Sequence, residues 1–481
     1  MDLRYCSGEA ARRADTLSVI AFATLLVMAA IVWPAGTVAV TGVCVALATW
    51  ATALFAPFSI LVLLIAYVPF QTFADFALPP AGSIWMGALI RDALAGMLVL
   101  SWMLRRAAGL ERNPWTRLPQ LAVISYVSVM AVYIPFAASL AGAMISYRNL
   151  ALYLLLLPAS ADFVNTKSRL RTVVAVVLGA SVIVGLLGIA EVLTSQAVFG
   201  WLGYDIEALM GSDLPFTYLG FARATGGTGN PLEFGLHMAI AGIICMTYAS
   251  SNCFNWRRGY LAVVLGVVLL ALALTFARSA YLSLLVGILT VALLLRRGRF
   301  LVPLSVLVAV MVWLAQTPYG DMVGARVRVE DDPGITTADQ RIEVWGQVLS
   351  RGSSLWSGSG LGTQGGATER SGATPLLHIT DNYYALILLQ VGWVPLVLFL
   401  CMLVALLIRH LRLAHSTGDP EIKAYAAICT AIVLMVAVNA GLSSALESRT
   451  ISILVAILLG SALNLDHFLP QTGARNAQPS R

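Results

Sequence analysis

Apolar runs long enough to cross a bilayer recur from one end of this chain to the other, and no other feature restricts its fold as much. Fourteen can be drawn, at 17–33, 37–55, 58–74, 84–104, 119–141, 146–163, 172–193, 232–250, 260–277, 279–295, 300–316, 383–408, 424–441 and 449–464. About 20 apolar residues in an α-helix cover the roughly 30 Å of hydrocarbon in a membrane. No water is present there to satisfy backbone polar groups, so such a segment must satisfy them within its own helix. The chain is 59% hydrophobic and 11% charged, whereas a soluble domain is about a quarter charged. Its 481 residues therefore read as one polytopic unit rather than several soluble domains. The expectation is an all-α membrane protein of about 12–14 transmembrane helices over residues 1–481, with a polar tail at 465–481.

The net charge of +6 would suggest a nucleic-acid partner in a soluble protein. Here the retention of basic residues on the cytoplasmic face accounts for most of it. Arg4, Arg12 and Arg13 precede the first run and assign the N-terminus to the cytoplasm. Counting spans from there puts five further groups on the same side: Arg105 to Arg117, Lys167 to Arg171, Arg257 with Arg258, Arg296 to Arg299, and Arg409 to Lys423. Nucleic acid is thus not expected as a partner, and membrane lipid is. The first run lacks a small-residue cleavage site and reads as an uncleaved anchor. Cys44, Cys245, Cys401 and Cys429 fall inside spans, and the sequence holds no CxxC and no Cys/His cluster. Neither a disulfide framework nor a metal or other cofactor is expected.

Some arginines break the charge rule. Arg278 stands between the runs 260–277 and 279–295, on the face away from the cytoplasm. Arginine near lipid is costly, and one kept on the outer face suggests a bound anion. Two substantial external segments follow from the count, 194–231 and 317–382. The first carries Arg223 and ends in a Gly-rich approach to Asn230-Pro231. In the second, Thr337-Ala-Asp-Gln340 fits a capping box for a helix opening at Arg341, with Ile342, Trp345, Val348 and Leu349 on its apolar side. Gly360-Leu-Gly362-Thr-Gln-Gly365 matches a dinucleotide fingerprint, yet it lacks the strand and helix context that fingerprint needs, so a flexible or close-packing loop is the better reading. Arg91, Arg148 and Arg449 also map to the outer side and read as anchors or internal ion pairs. Neighbours on a helix do not face each other, so the adjacency of Arg91 and Asp92 does not imply that they pair. His237 reads as a buried, hydrogen-bonded residue.

Four stretches, in order, carry a family resemblance: Arg223 to Pro231, Leu274 to Leu282 around Arg278, Arg341 to Trp345 through Gly362, and Asp381-Asn382-Tyr383-Tyr384 with Gly392-Trp393. Together they resemble the O-antigen ligase and polymerase superfamily over roughly residues 145–445. That resemblance implies a multi-pass enzyme of the bacterial inner membrane with its site facing the periplasm or exterior. It implies transfer of glycan from an undecaprenyl diphosphate carrier to an acceptor hydroxyl, without metal or nucleotide. The implied partners are the lipid-linked donor, the glycan acceptor, and a chain-length regulator or other assembly proteins.

Two guanidiniums suit a diphosphate leaving group, which gives Arg278 and Arg341 a shared catalytic task. Arg223, Asn230, Trp345, Asn382 and Tyr383 are the further donor- or glycan-binding candidates. A base must take the acceptor proton, and Asp381 or His378 can do so. Ligases of the superfamily usually carry histidine where this chain has Asp381, so the resemblance leans towards polymerisation of repeat units into O-antigen, capsule or exopolysaccharide. Ligase-type transfer to a lipid core or protein is the alternative, and a flippase or transporter for lipid-linked glycan is a second. A transporter would be expected to show broken helices and repeat symmetry, and the sequence shows no repeat strong enough to support one.

Overall fold

The computed structural model of the chain describes residues 49–71, 86–110, 118–195, 198, 217–218, 221–251, 258–296, 345–350, 352–365, 368 and 382–465. Its helices are α1 (Pro57–Tyr67), α2 (Met86–Ala107), α3 (Leu118–Val132), α4 (Leu140–Leu150), α5 (Leu156–Phe163) and α6 (Lys167–Leu193). They continue with α7 (Pro231–Ser251), α8 (Arg258–Ala273), α9 (Arg278–Leu295), α10 (Tyr383–Val391), α11 (Trp393–Ser416), α12 (Pro420–Leu442) and α13 (Arg449–Ser461). Among the described residues, strand is limited to a two-residue ladder, β1 (Thr217–Tyr218) against β2 (Phe221–Ala222).

Among the described residues, eight helical segments are long and apolar enough to cross a membrane, and three shorter apolar helices lie at Pro57–Phe70, Gly259–Ala273 and Arg449–Ser461. The chain is therefore an all-α polytopic membrane protein. The expected runs at 17–33 and 300–316, and most of 37–55, lie outside the described residues.

Polar residues at the ends of the apolar runs set the helix boundaries. Thr166 caps α6 by accepting from Arg169 N at 3.2 Å. Asp419 caps α12 through Glu421 N and Ile422 N at 3.0 and 3.1 Å, with Pro420 in the first turn. Inside the bundle, α7 and α12 are buried along most of their length. Small residues let these backbones close up: a Cβ at Gly287 of α9 would lie 2.7 Å from both Ile243 of α7 and Met435 of α12. Apolar side chains such as Val397 and Val404 of α11 and Val263 of α8 point outwards, as lipid-facing positions do.

One expectation is corrected. The run 383–408 is not one helix: α10 stops at Val391, Gly392 adopts φ 82°, and α11 starts at Trp393. Arg91 and Asp92 do pair, at 2.6 Å, because the side chains bend towards each other inside a larger network. Fully buried Arg91 also donates to Gln71 and to Tyr153 OH, while Asp92 holds Arg148 at 2.5 Å. Their common partners, not their place on the helix surface, bring the two together.

The bundle has two chemically different ends. At one, Arg106 pairs with Asp162 at 2.6 Å, Arg171 with Glu421 at 2.7 Å, and Lys167 with Asp419. Arg409 donates to Leu463 O at 2.6 Å, and Asn464 to Ala161 O at 2.7 Å, at this same end. The motif-bearing stretches gather at the other.

Candidate functional site

The construction starts at the turn between α8 and α9. The helix α8 ends at Ala273, and the chain reverses direction over 274–277. Phe276 sits there at φ 51°, a left-handed conformation unusual for a non-glycine residue. The turn's carbonyls face the stretch that begins at Arg223: Ala224 N donates to Leu274 O at 3.0 Å, and Arg223 Nε to Thr275 O at 2.9 Å. Buried Arg223 is thereby fixed beside the turn that launches α9.

Arg278 is the first residue of α9 and is exposed. Among the described residues it has no ion-pair or hydrogen-bond partner. The N-terminus of a helix carries a partial positive charge, so a cation there is opposed by the helix itself. An anion brought to this spot is favoured by the side chain and by the helix dipole together. Such an arrangement suits a ligand with negative charge better than it suits the resting protein.

The Arg223 stretch is held from its other side by Glu191, near the end of α6. This fully buried carboxylate accepts from Thr225 N at 2.7 Å, Gly226 N at 3.1 Å and the Thr225 hydroxyl at 3.0 Å. Asn230 then closes the stretch, its Oδ1 accepting from Leu232 N at 2.8 Å as α7 begins.

The third motif is attached to the end of α12. Asn382 caps α10 by accepting from Ala385 N at 3.0 Å, and its Nδ2 donates to Gly441 O at 3.2 Å. Asn439, two residues earlier on α12, donates to Ser283 of α9 at 3.3 Å. The end of α12 thus connects the Asn382 motif to the helix that begins with Arg278. The Glu233 carboxylate in the first turn of α7 accepts from Ser448 at 2.5 Å and ties α7 to the turn after α12. Tyr383 is 2% exposed and its ring packs 5.4 Å from that of Phe399, so in this conformation it faces the core.

The Gly-rich run proves to be a packing device. Ser359 N and Gly360 N donate to the carbonyls of Leu389 and Gln390 at 2.7 and 2.9 Å, taking up backbone groups at the end of α10. The Gln390 side chain accepts from Gly362 N at 2.8 Å and from Ser146 at 2.9 Å, and donates to Gln364 O at 3.2 Å. One glutamine thus bonds the loop and α4 to α10.

The structure accordingly brings together the stretches of Arg223, Asn230, Arg278, Asn382 and Tyr383. Trp345 lies half-buried at the start of a described helical turn at 345–349. Arg341, His378 and Asp381 lie outside the described residues. His237 is buried with Nε2 2.9 Å from Ser181 Oγ, as expected of it. It lines a small gap with Ile65, Val177 and Ile453, and no arginine contributes to that lining. Among the described residues no group of three His, Cys, Asp or Glu is placed to hold a metal. Sequence reasoning missed Glu191 and Gln390. The available signal for Glu191 was its place as the lone charged residue in the run 172–193.

Comparison with known proteins bears on this arrangement. Residues 261–400 match a family model described as O-Antigen ligase, a range that holds the turn before α9, Arg278, the Gly-rich run and Asn382. Over 385 residues the chain is 24% identical to an O-antigen polymerase of Salmonella muenchen, covering 76% of this chain and 93% of that relative. Both findings support the O-antigen ligase and polymerase superfamily.

Proposed function

We propose, from the superfamily that both similarities support, that this chain polymerises undecaprenyl diphosphate-linked oligosaccharide repeat units into a surface polysaccharide. In this reading the basic end of the bundle is cytoplasmic, the segments 194–231 and 317–382 are external, and the reaction takes place on the outer face of the bacterial inner membrane. The observation that carries the reading is Arg278, a cation exposed at the start of α9 beside the buried Arg223.

The acceptor hydroxyl oxygen attacks the anomeric carbon of the donor sugar. The bond from that carbon to the diphosphate oxygen breaks, and undecaprenyl diphosphate leaves with its negative charge increased. Guanidiniums address that charge with paired N–H donors, which makes Arg278, Arg223 and Arg341 suited to hold the leaving group. Their attraction strengthens as the glycosidic bond breaks, so they lower the barrier rather than merely bind. Asp381 takes the acceptor proton, with His378 as the second candidate. Asn382, Asn230, Trp345 and Tyr383 border the glycan in this reading. Aspartate at 381, where ligases usually carry histidine, favours polymerase over ligase.

One feature favours a carrier: the break at Gly392, since transporters bind substrate at interrupted helices. Here the loop 358–365 takes up the carbonyls of Leu389 and Gln390, which leaves them closed to a substrate.

The full-length protein reconstituted in vesicles with lipid-linked repeat units tests the choice. Longer lipid-linked chains are expected, and Arg278→Ala should lower kcat by about 10²-fold or more with insertion unchanged. Glycan transferred only to an added lipid core would make the chain a ligase. Movement of substrate across the bilayer without a new glycosidic bond would overturn both enzyme readings.

A further inference from the structure

Glu191 is fully buried in a membrane helix, where a carboxylate ordinarily meets a cation. Among the described residues it meets no lysine, arginine or histidine. Its contacts are the backbone N–H groups of Thr225 and Gly226, at 2.7 and 3.1 Å, and the Thr225 hydroxyl, at 3.0 Å from one oxygen and 3.2 Å from the other. All belong to the segment immediately after Arg223. Both backbone N–H groups converge on one oxygen of Glu191 and the hydroxyl bonds both, so the side chain serves here as an acceptor that ties the segment to α6.

The segment has little freedom to settle elsewhere. A Cβ on Gly226 would collide with the Phe234 ring, and one on Gly188, a turn before Glu191, would lie 2.7 Å from the same ring. On its opposite edge the stretch is bonded to the turn before α9, through Ala224 N to Leu274 O and Arg223 Nε to Thr275 O. Arg223 is therefore gripped between Glu191 and the turn from which Arg278 projects.

From this geometry we infer that Glu191 is a positioning residue: it touches no substrate, and it fixes the loop that presents Arg223 next to Arg278 so that both guanidiniums address one diphosphate. The inference rests on the donor-binding role proposed above for these two arginines.

The test is steady-state donor kinetics of the full-length protein in vesicles, with undecaprenyl diphosphate-linked repeat units as substrate. Glu191→Ala is expected to lower kcat/KM by about tenfold or more, as loss of hydrogen bonds to a charged group does. A residue that acts only through Arg223 has nothing left to position once Arg223 is gone. Glu191→Ala combined with Arg223→Ala should then be no worse than Arg223→Ala alone. Glu191→Gln, which keeps one acceptor oxygen, should fall between Glu191→Ala and the parent. If Glu191→Ala does not accumulate, Thr225→Val removes the hydroxyl contact at nearly constant size, and the same non-additivity with Arg223→Ala is expected. Additive losses would overturn the inference, as would full activity in both Glu191→Ala and Thr225→Val. If Arg278→Ala and Arg223→Ala are themselves without effect, the donor-site reading falls and takes the inference with it. If those two variants are impaired while the Glu191 and Thr225 variants are not, only the inference falls.

Discussion

At Gly362 a single hydrogen atom in place of a side chain decides whether a loop can reach the bundle. Its φ is 83°, and a Cβ there would lie 2.7 Å from the carbonyl oxygen of Gly142 on α4. Gly362→Ala meets both a backbone conformation that L side chains rarely adopt and a clash with main chain that cannot rotate away. We expect a loss of about 2 kcal/mol or more, read as a lower melting temperature in detergent. Gly266→Ala on α8, where nothing lies within 4 Å, should not lower the melting temperature. Equal melting behaviour in both variants would contradict the assigned packing role. That the run is a loop, flexible or close-packing, and no nucleotide site was legible from its composition and the missing fold context. Its partners were not, because Gly142 and Gln390 lie far from Gly362 in sequence and nothing in a lone glycine says which backbone approaches it. Glu191 was legible as an anomaly in an apolar run, but its partners lie beyond the next loop. The base candidates Asp381 and His378 remain readable from the sequence alone.

At the level of elements, hydropathy located the helices well and described their joints poorly. The run 383–408 stays apolar through Gly392, so an average over it sees one span. What divides α10 from α11 is a glycine conformation and a loop that arrives from 358–365 to take the freed carbonyls. The Arg91 network shows the same limit. Helix geometry argues against contact between adjacent residues, but Tyr153 and Arg148 around Asp92 supply a reason for the side chains to converge. Asp92 is the carboxylate shared by two guanidiniums there, and one of them belongs to a fully buried arginine. Asp92→Asn leaves that arginine without its counter-charge, and breaking a buried pair from one side costs about 3–5 kcal/mol. Because Asp92 and Arg148 are each 24% exposed, we expect about 2–3 kcal/mol, measured by thermal unfolding and by yield in the membrane. A variant as stable as the parent would mean that Gln71 and Tyr153 alone suffice to hold Arg91.

Over the whole molecule, the sequence's charge asymmetry has a structural counterpart. Basic side chains at one end are matched to Asp162, Asp419 and Glu421, while Arg278 at the other end lacks such a partner among the described residues. Ion pairs at the basic end therefore serve cohesion, and they connect elements distant in the chain: Lys167 and Arg171 of α6 hold the start of α12. Asp419 gives this cohesion a pH dependence. Burial acts to raise its pKa, but the hydrogen bond from Lys167, the N–H groups of Ile422 and Glu421, and the Lys167 charge outweigh it, and the folded value lies below the ordinary one. Between those two values the unfolded chain binds more protons than the folded one, so stability rises with pH there. The Asp419 contribution is thus complete above the ordinary carboxylate pKa, near ~4, and is lost as pH falls through the folded value. With Asp419 22% exposed and Lys167 34%, it should amount to no more than about 1 kcal/mol. Asn can still cap α12, so Asp419→Asn removes the charge and spares the helix start. Melting curves of parent and variant from pH 7 to pH 3 should show the parent ahead at neutral pH, with the gap closing as the medium is acidified. A gap that stays constant across that range would mean that the side chain acts through its cap alone and that Lys167 adds no cohesion.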